Sequence, residues 1–147
     1  MTNFALSKCL PYSCQQLFEL VADVKSYPEF VPGIIATTVV GATSEGFQSE
    51  VTFGNAFFHE HYTCTVHLQP FKRIDTQAIK GPFSNLESYW LFHPVKDGQH
   101  TDLYFHVNFS FKNKLLQKIA SPVFDKLTQT MIQAFESRAR LIYGNQR

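Results

Sequence analysis

Hydrophobic and polar residues alternate most cleanly over Thr101–Phe111. Leu103, Phe105, Val107, Phe109 and Phe111 fall on one side, and Asp102, Tyr104, His106, Asn108 and Ser110 on the other. A period of two with one apolar face predicts a strand of an antiparallel sheet, buried on one side and wet on the other. Weaker runs of the same kind, each bounded by Gly or Pro, predict strands over 4–10, 34–40, 47–53, 57–68, 73–79 and 86–92. Two segments change period. Leu17, Phe18, Leu20 and Val21 form a helical stripe over 14–22 with Ser13 as its N-cap, and 24–30 reads as a second short helix or turn. From 113 to 143, Leu116, Ile119, Val123, Leu127, Met131, Ala134 and Phe135 recur at three and four. Pro122 is expected to kink or break that helix near Ser121, and Gly144 to stop it.

The order is therefore strand, two short helices, six strands, long helix: an α+β chain forming one domain over 1–147. One helix has to cover the inner face of a curved seven-stranded antiparallel sheet, which leaves room between them near the sheet's open end. The stretch VADVKSYPEFVP (21–32) turns the chain sharply at Pro28 and Pro32 and carries Tyr27, Phe30 and Val31. That much apolar surface on a loop predicts either a plug for the core or the rim of an apolar cavity.

Composition sharpens this picture. Fifteen Phe in 147 residues is roughly twice or more ordinary usage, and Phe brings large apolar area without a polar handle. The three cysteines show no metal or disulfide spacing. The N-terminus does not read as a signal peptide, and no apolar run approaches the ~20 residues of a membrane span. The chain reads as a soluble bacterial cytoplasmic protein, with peripheral contact to the inner membrane through exposed aromatics left open. Charge is uneven. Residues 1–111 carry six Lys/Arg and ten Asp/Glu, a net of −4; residues 112–147 carry seven and two, a net of +5. Lys112, Lys114, Lys118, Lys126, Arg138 and Arg140 form a basic C-terminal element that suits either an anionic surface such as RNA or plain solvation of a helix face.

Catalytic constellations are sparse: there is no Gly-rich phosphate loop and no GxSxG. His59, His61 and His67 share a strand face with Thr63 and Thr65, which reads as a solvated face rather than a zinc site. On the opposite face, Glu60 and Tyr62 are candidate polar contacts for a ligand, or the beginnings of an acid/base pair. A buried Glu60 would need a partner or a wet mouth. Trp90 and Phe92, with Phe83, Phe105 and Phe109, are candidate wall residues. Phe124, Leu127, Met131 and Phe135 face the sheet from the long helix, and Tyr27, Phe30, Val31 and Pro32 are candidate gate residues.

The segment LPYSCQQLFELVADVKSYPEFVPG, with GPF at 81–83, YWLF at 89–92, FHVNFSFKNKLL at 105–116 and VFDKLTQTMIQAFESRAR at 123–140, resembles the ubiquinone-binding START-like family within the polyketide cyclase-like superfamily. The resemblance runs in order along nearly the whole chain. It implies a helix-grip fold with a hydrophobic tunnel. It also implies one of two functions: a non-catalytic carrier of ubiquinone or a related isoprenoid quinone supporting respiration, or a toxin that binds the large ribosomal subunit and blocks subunit association. The wider superfamily adds a third, a polyketide cyclase or dehydratase. The Phe excess and the apolar loop favour the carrier, with no metal and no catalytic residues expected; the basic helix keeps the ribosome in view.

Overall fold

The computed structural model describes residues 2–144. Seven strands form one antiparallel sheet: β1 (Thr2–Leu10), β2 (Ile34–Thr43), β3 (Gly46–Gly54), β4 (His59–Gln69), β5 (Arg73–Lys80), β6 (Phe83–Val95) and β7 (His100–Phe111). Their spatial order is β1-β7-β6-β5-β4-β3-β2. Strands β2 to β7 form a meander of consecutive hairpins, while β1 crosses to pair with β7 from Thr2 opposite Phe109 to Leu10 opposite Thr101. Register shifts in β2, β5 and β6 bend the strands, and the curved inner face closes around the C-terminal helices.

Helix α1 (Cys14–Ala22) follows β1 and begins with a capping box. The Ser13 hydroxyl accepts from the Gln16 N–H at 3.1 Å, and the Gln16 side chain accepts from the Ser13 N–H at 2.9 Å. A 3-10 segment (Val24–Glu29) follows at once. Its Tyr27 hydroxyl donates to the Val21 carbonyl, which folds the segment back on α1.

The long helix is two helices, α2 (Lys114–Gln129) and α3 (Met131–Tyr143). The expected break at Pro122 does not occur. Pro122 lies inside α2 on its exposed face, where the carbonyl it leaves unpaired meets solvent. The interruption falls instead at Thr130. The Thr130 hydroxyl donates to the Lys126 and Leu127 carbonyls, in competition with the helical ladder. Several strand limits also differ from expectation: β1 begins at Thr2, β2 runs on to Thr43 and β6 begins at Phe83. Phe57 and Phe58 lie in the β3–β4 loop, not in β4. β6 runs on past Pro94, which pairs with Thr101 on β7; β5 has ended its pairing at Leu91, so no neighbouring strand needs the missing N–H.

The apolar face of β7 is buried throughout, from Leu103 to Phe111, and it packs with Phe53, Leu86, Trp90, Phe124, Ile132 and Phe135 in one core. α1 packs on α3 and β6. The chain ends are clasped there: the Tyr12 hydroxyl donates to the Gly144 carbonyl at 2.8 Å, and the Tyr143 hydroxyl to the Gln16 carbonyl at 3.1 Å.

Candidate functional site: an apolar cavity with a neutral polar lining

Between the sheet's concave face and α2 lies a cavity of about 80 Å³. Strands β2 to β7 form its floor, the start of α3 and the second half of α2 its roof, and Val21, Val24 and Tyr27 one end wall. Of the residues expected from sequence, Tyr27, Tyr62, Trp90, Phe105, Phe124, Leu127 and Met131 line it.

The others sit elsewhere. Phe30 and Pro32 line a separate surface groove with Glu29 and Arg138, and Val31 is buried in the core. Phe135 stands one layer behind the cavity wall, edge-on to Tyr27, Phe30 and Trp90 at 5.2–5.3 Å. Phe92 packs on Phe18 of α1 at 5.6 Å. Phe83 and Phe109 belong to an aromatic cluster at the far end. There Phe83 stacks on Phe111 at 4.7 Å and meets Phe124 at 5.1 Å, Tyr62 at 5.3 Å and Phe53 at 5.9 Å. Together with Phe58, which lies 6.0 Å from Phe53, these rings plug the barrel between the cavity and the β3–β4 loop. Glu60 is not a cavity residue; it pairs with Phe53 near the outer end of β4 and is half-buried. Its carboxylate stays out of the apolar interior, as the cost of burying an unpaired charge requires.

What the sequence reading missed is the cavity's polar lining. Thr76, Ser88 and Thr128 line it beside Tyr62 and Cys64. Thr76 and Ser88 are cross-strand partners on β5 and β6. Ser88 lies between Leu86 and Trp90 on one buried strand face, and a lone hydroxyl inside an apolar alternation is the signal that could have found it. Every polar group on the wall is neutral. Burial pushes the Cys64 thiol up to about 12 and holds the Tyr62 phenol well above its ordinary value. Tyr27 is raised by the same cause. All three keep their protons near neutral pH.

The lid over one end is the 3-10 segment. Gly33, just beyond it, has φ +95°, and a Cβ there would lie 3.2 Å from Leu127 Cδ1, so glycine lets the lid's exit pass close to the cavity roof. Arg138 of α3 ties the lid down, 3.5 Å from Glu29 and 4.9 Å over the Phe30 ring. Arg140 sits 3.9 Å from Glu136, which Lys8 also meets at 2.7 Å. These two arginines are thus engaged within the chain. Lys112, Lys114, Lys118 and Lys126 are exposed, and none is in an ion pair among the described residues.

Comparison with known proteins places this geometry. Residues 10–136 match a family described as polyketide cyclase / dehydrase and lipid transport. The ribosome association toxin RatA of Rickettsia prowazekii is 37% identical over 144 residues, covering 95% of this chain and 97% of that protein. The mitochondrial coenzyme Q-binding protein COQ10 homolog B of Xenopus laevis is 32% identical over 147 residues, covering 98% of this chain and 60% of that protein. Among solved structures, the 18 kDa protein CC1736 of Caulobacter crescentus is 33% identical with a TM-score of 0.75, covering 99% of this chain and all of that one. The ZhuI aromatase/cyclase of Streptomyces sp. R1128 superposes with a TM-score of 0.83 over 99% of both chains at 13% identity, a likeness of fold alone.

Proposed function

This chain belongs to the polyketide cyclase / dehydrase and lipid transport family, and from that premise we propose that it is a non-catalytic binding protein for a neutral, hydrophobic ligand of the isoprenoid-quinone kind. The observation that carries this reading is the character of the cavity wall. Its polar groups are hydroxyls and one thiol, all uncharged, set among Val, Leu, Ile and aromatic side chains. A fatty-acid carboxylate or a phosphate would enter without a counter-charge, at a high cost. A quinone brings only carbonyl and ether acceptors, which Tyr62, Thr76 and Ser88 can meet as donors, while the Thr128 hydroxyl already donates to the Asp125 carbonyl. Its tail contributes about 25 cal/mol per Å² of apolar area removed from water.

The same lining speaks against a cyclase or dehydratase. Acid–base catalysis works best with groups titrating near the operating pH, and Tyr62 and Cys64 are driven away from that range. The likeness to an aromatase/cyclase is one of fold, and function resides in the site.

A space of about 80 Å³ holds a few water molecules and is far below the roughly 300 Å³ or more of a typical ligand pocket. Binding a quinone therefore requires the cavity to swell. Met131 on the roof is an adaptable side chain, and the Tyr27–Phe30 lid rests on one aromatic joint at Phe135. The test uses Trp90, the chain's one tryptophan, which lines the cavity. Titration with a short-tailed ubiquinone quenches its fluorescence saturably at one equivalent, and organic extracts of protein from a quinone-producing host contain quinone. Empty extracts and an unquenched Trp90 would end the carrier reading.

A second reading rests on the similarity to RatA together with the exposed lysines of α2: the chain binds the large ribosomal subunit. Cosedimentation with that subunit that weakens steeply with salt, and falls on replacing Lys114 and Lys118 with Gln, supports it. Salt-insensitive or absent cosedimentation refutes it.

A further inference from the structure

Three connections meet at the plugged end of the barrel: the β3–β4 loop, the β5–β6 turn and the β7–α2 junction. Phe58 touches Phe53, Phe53 and Phe83 touch Phe124, and Phe83 stacks on Phe111. The Lys112 N–H donates to the Pro82 carbonyl at 2.8 Å. Phe57, on the outer side of this plug, is 94% exposed. Its exposure is built in. The Asn55 side chain accepts from the N–H groups of Phe57 and Phe58 at 2.8 and 3.1 Å, and the Asn55 N–H donates to the Phe58 carbonyl at 2.9 Å. The braced turn packs half-buried Phe58 against the core and points Phe57 out. On the adjoining first turns of α2, Leu115 and Ile119 are 68% and 46% exposed, on one outward stripe that continues to Pro122. Lys112, Lys114 and Lys118 flank Leu115 and Ile119 in the chain, Lys80 ends β5 at the same end of the barrel, and all four are exposed. Glu60 is the carboxylate at this end, and it is half-buried.

We infer that this end of the barrel is a docking face for an anionic lipid bilayer, with Phe57, Leu115 and Ile119 entering the headgroup–acyl boundary and the four lysines resting on lipid phosphates. The chemistry selects this occupant. Apolar tips ringed by ammonium groups suit an interface that is apolar within and anionic at its surface. Duplex RNA would use the lysines and leave Phe57 in water. A second copy of the chain would bring lysines against lysines. No helix of the described residues is long and apolar enough to cross a membrane, so the contact is peripheral. The aromatic plug then separates the bilayer from the cavity. The inference rests on surface groups and stands whether or not the cavity holds a quinone.

The test is flotation with vesicles of two parts phosphatidylcholine to one part phosphatidylglycerol, and with phosphatidylcholine alone. The wild-type chain floats with the anionic vesicles. Phe57→Ser combined with Leu115→Ser lowers partitioning on the order of a hundredfold or more, in keeping with about 1.5–3 kcal/mol for each of the two large apolar side chains. Replacing Lys112, Lys114 and Lys118 with Gln lowers it on the order of a hundredfold, at about 1 kcal/mol per lysine. Leu141→Ser, at a 75% exposed position near the opposite end, changes nothing. Unaltered Trp90 emission shows that the surface variants are folded. The inference is overturned if the wild type ignores both vesicles, or if the Phe57/Leu115 variant floats as well as the wild type. Lysine-dependent binding to ribosomal subunits without vesicle binding overturns it as well and reassigns the face to RNA.

Discussion

Filling the cavity separates a ligand site from an ordinary packing defect. The Ser88 side chain enters the space between Leu86 and Trp90 of its own strand, with Thr76 and Val107 as its partners on β5 and β7. Ser88→Leu puts a branched aliphatic group into a void of about 80 Å³. At about 24 cal/mol per Å³ of cavity, complete filling is worth about 2 kcal/mol, against which any overpacking costs about 1–3 kcal/mol. With a urea slope of about 2 kcal/mol/M, a good fit raises the unfolding midpoint by up to about 1 M. The same change removes a donor and the space a ligand needs, so quenching of Trp90 by a short-tailed quinone disappears. Stability and binding therefore move in opposite directions. If the midpoint falls by more than about 0.5 M, the void cannot accept the group and the cavity geometry is wrong. If stability rises while quinone still binds, the ligand lies elsewhere and the carrier reading fails in its location.

Phe135→Ala deletes the joint that carries Tyr27, Phe30 and Trp90; a fully buried Phe lost without repacking costs about 3–5 kcal/mol, read from urea unfolding, and trypsin should then cut sooner at Lys25 in the loosened lid. Gly81→Ala costs well over about 1 kcal/mol, because φ is +129° and the new Cβ would sit 2.7 Å from Tyr62 Cβ and 2.8 Å from the His61 carbonyl; Gly98→Ala, at φ +82° with nothing within 4 Å, costs less, and thermal unfolding of the pair checks the difference. The Cys64 thiol is raised from 9.0 to about 12 by burial, so the folded state holds its proton more tightly than the unfolded chain. That contribution is full below pH 9.0 and is lost as pH rises towards 12. Cys64→Ala should accordingly soften the alkaline fall in urea midpoint, and iodoacetamide at pH below 9.0 should label exposed Cys9 but not native Cys64.

The strands and α1 were legible because their signals are local. β7 alternates over its whole length, and the capping box of α1 is written in Ser13 and Gln16. The signals that misled were also local ones, overruled by exposure or by a neighbour. Pro122 reads as a breaker, yet it sits on the solvent side of α2; Thr130 reads as ordinary, yet it marks the boundary of α2 and α3, its hydroxyl bonded to the Lys126 and Leu127 carbonyls. The site was half legible. Aromatic and aliphatic wall residues follow from face and period, but which of two aromatic layers meets the void depends on sheet curvature. That is why Phe135, Phe83 and Phe109 fall behind the wall while Trp90 and Phe124 form it. Glu60 carried the expected face parity but lies too near the strand's outer end to reach the cavity. Ser88 shares the face of Leu86 and Trp90 in the sequence pattern, but small hydroxyl residues in strands are common; its pairing with Thr76 across β5 and β6 gives both meaning.

The crossing of β1 to β7 sets an order of assembly. Strands β2 to β7 can zip up hairpin by hairpin as each emerges, but β1, though made first, has no partner until the last strand exists. Joining them closes a loop spanning most of the chain, an entropic cost that slows folding of such topologies. The clasp of Tyr12 on Gly144 and Tyr143 on Gln16 comes later still. A nascent chain therefore carries an open sheet edge and an uncovered apolar concavity until its final helices dock, the interval in which it is most exposed to aggregation. A hydrophobic ligand present during synthesis would meet that concavity before it is roofed. Loading at birth would then need no gate at all.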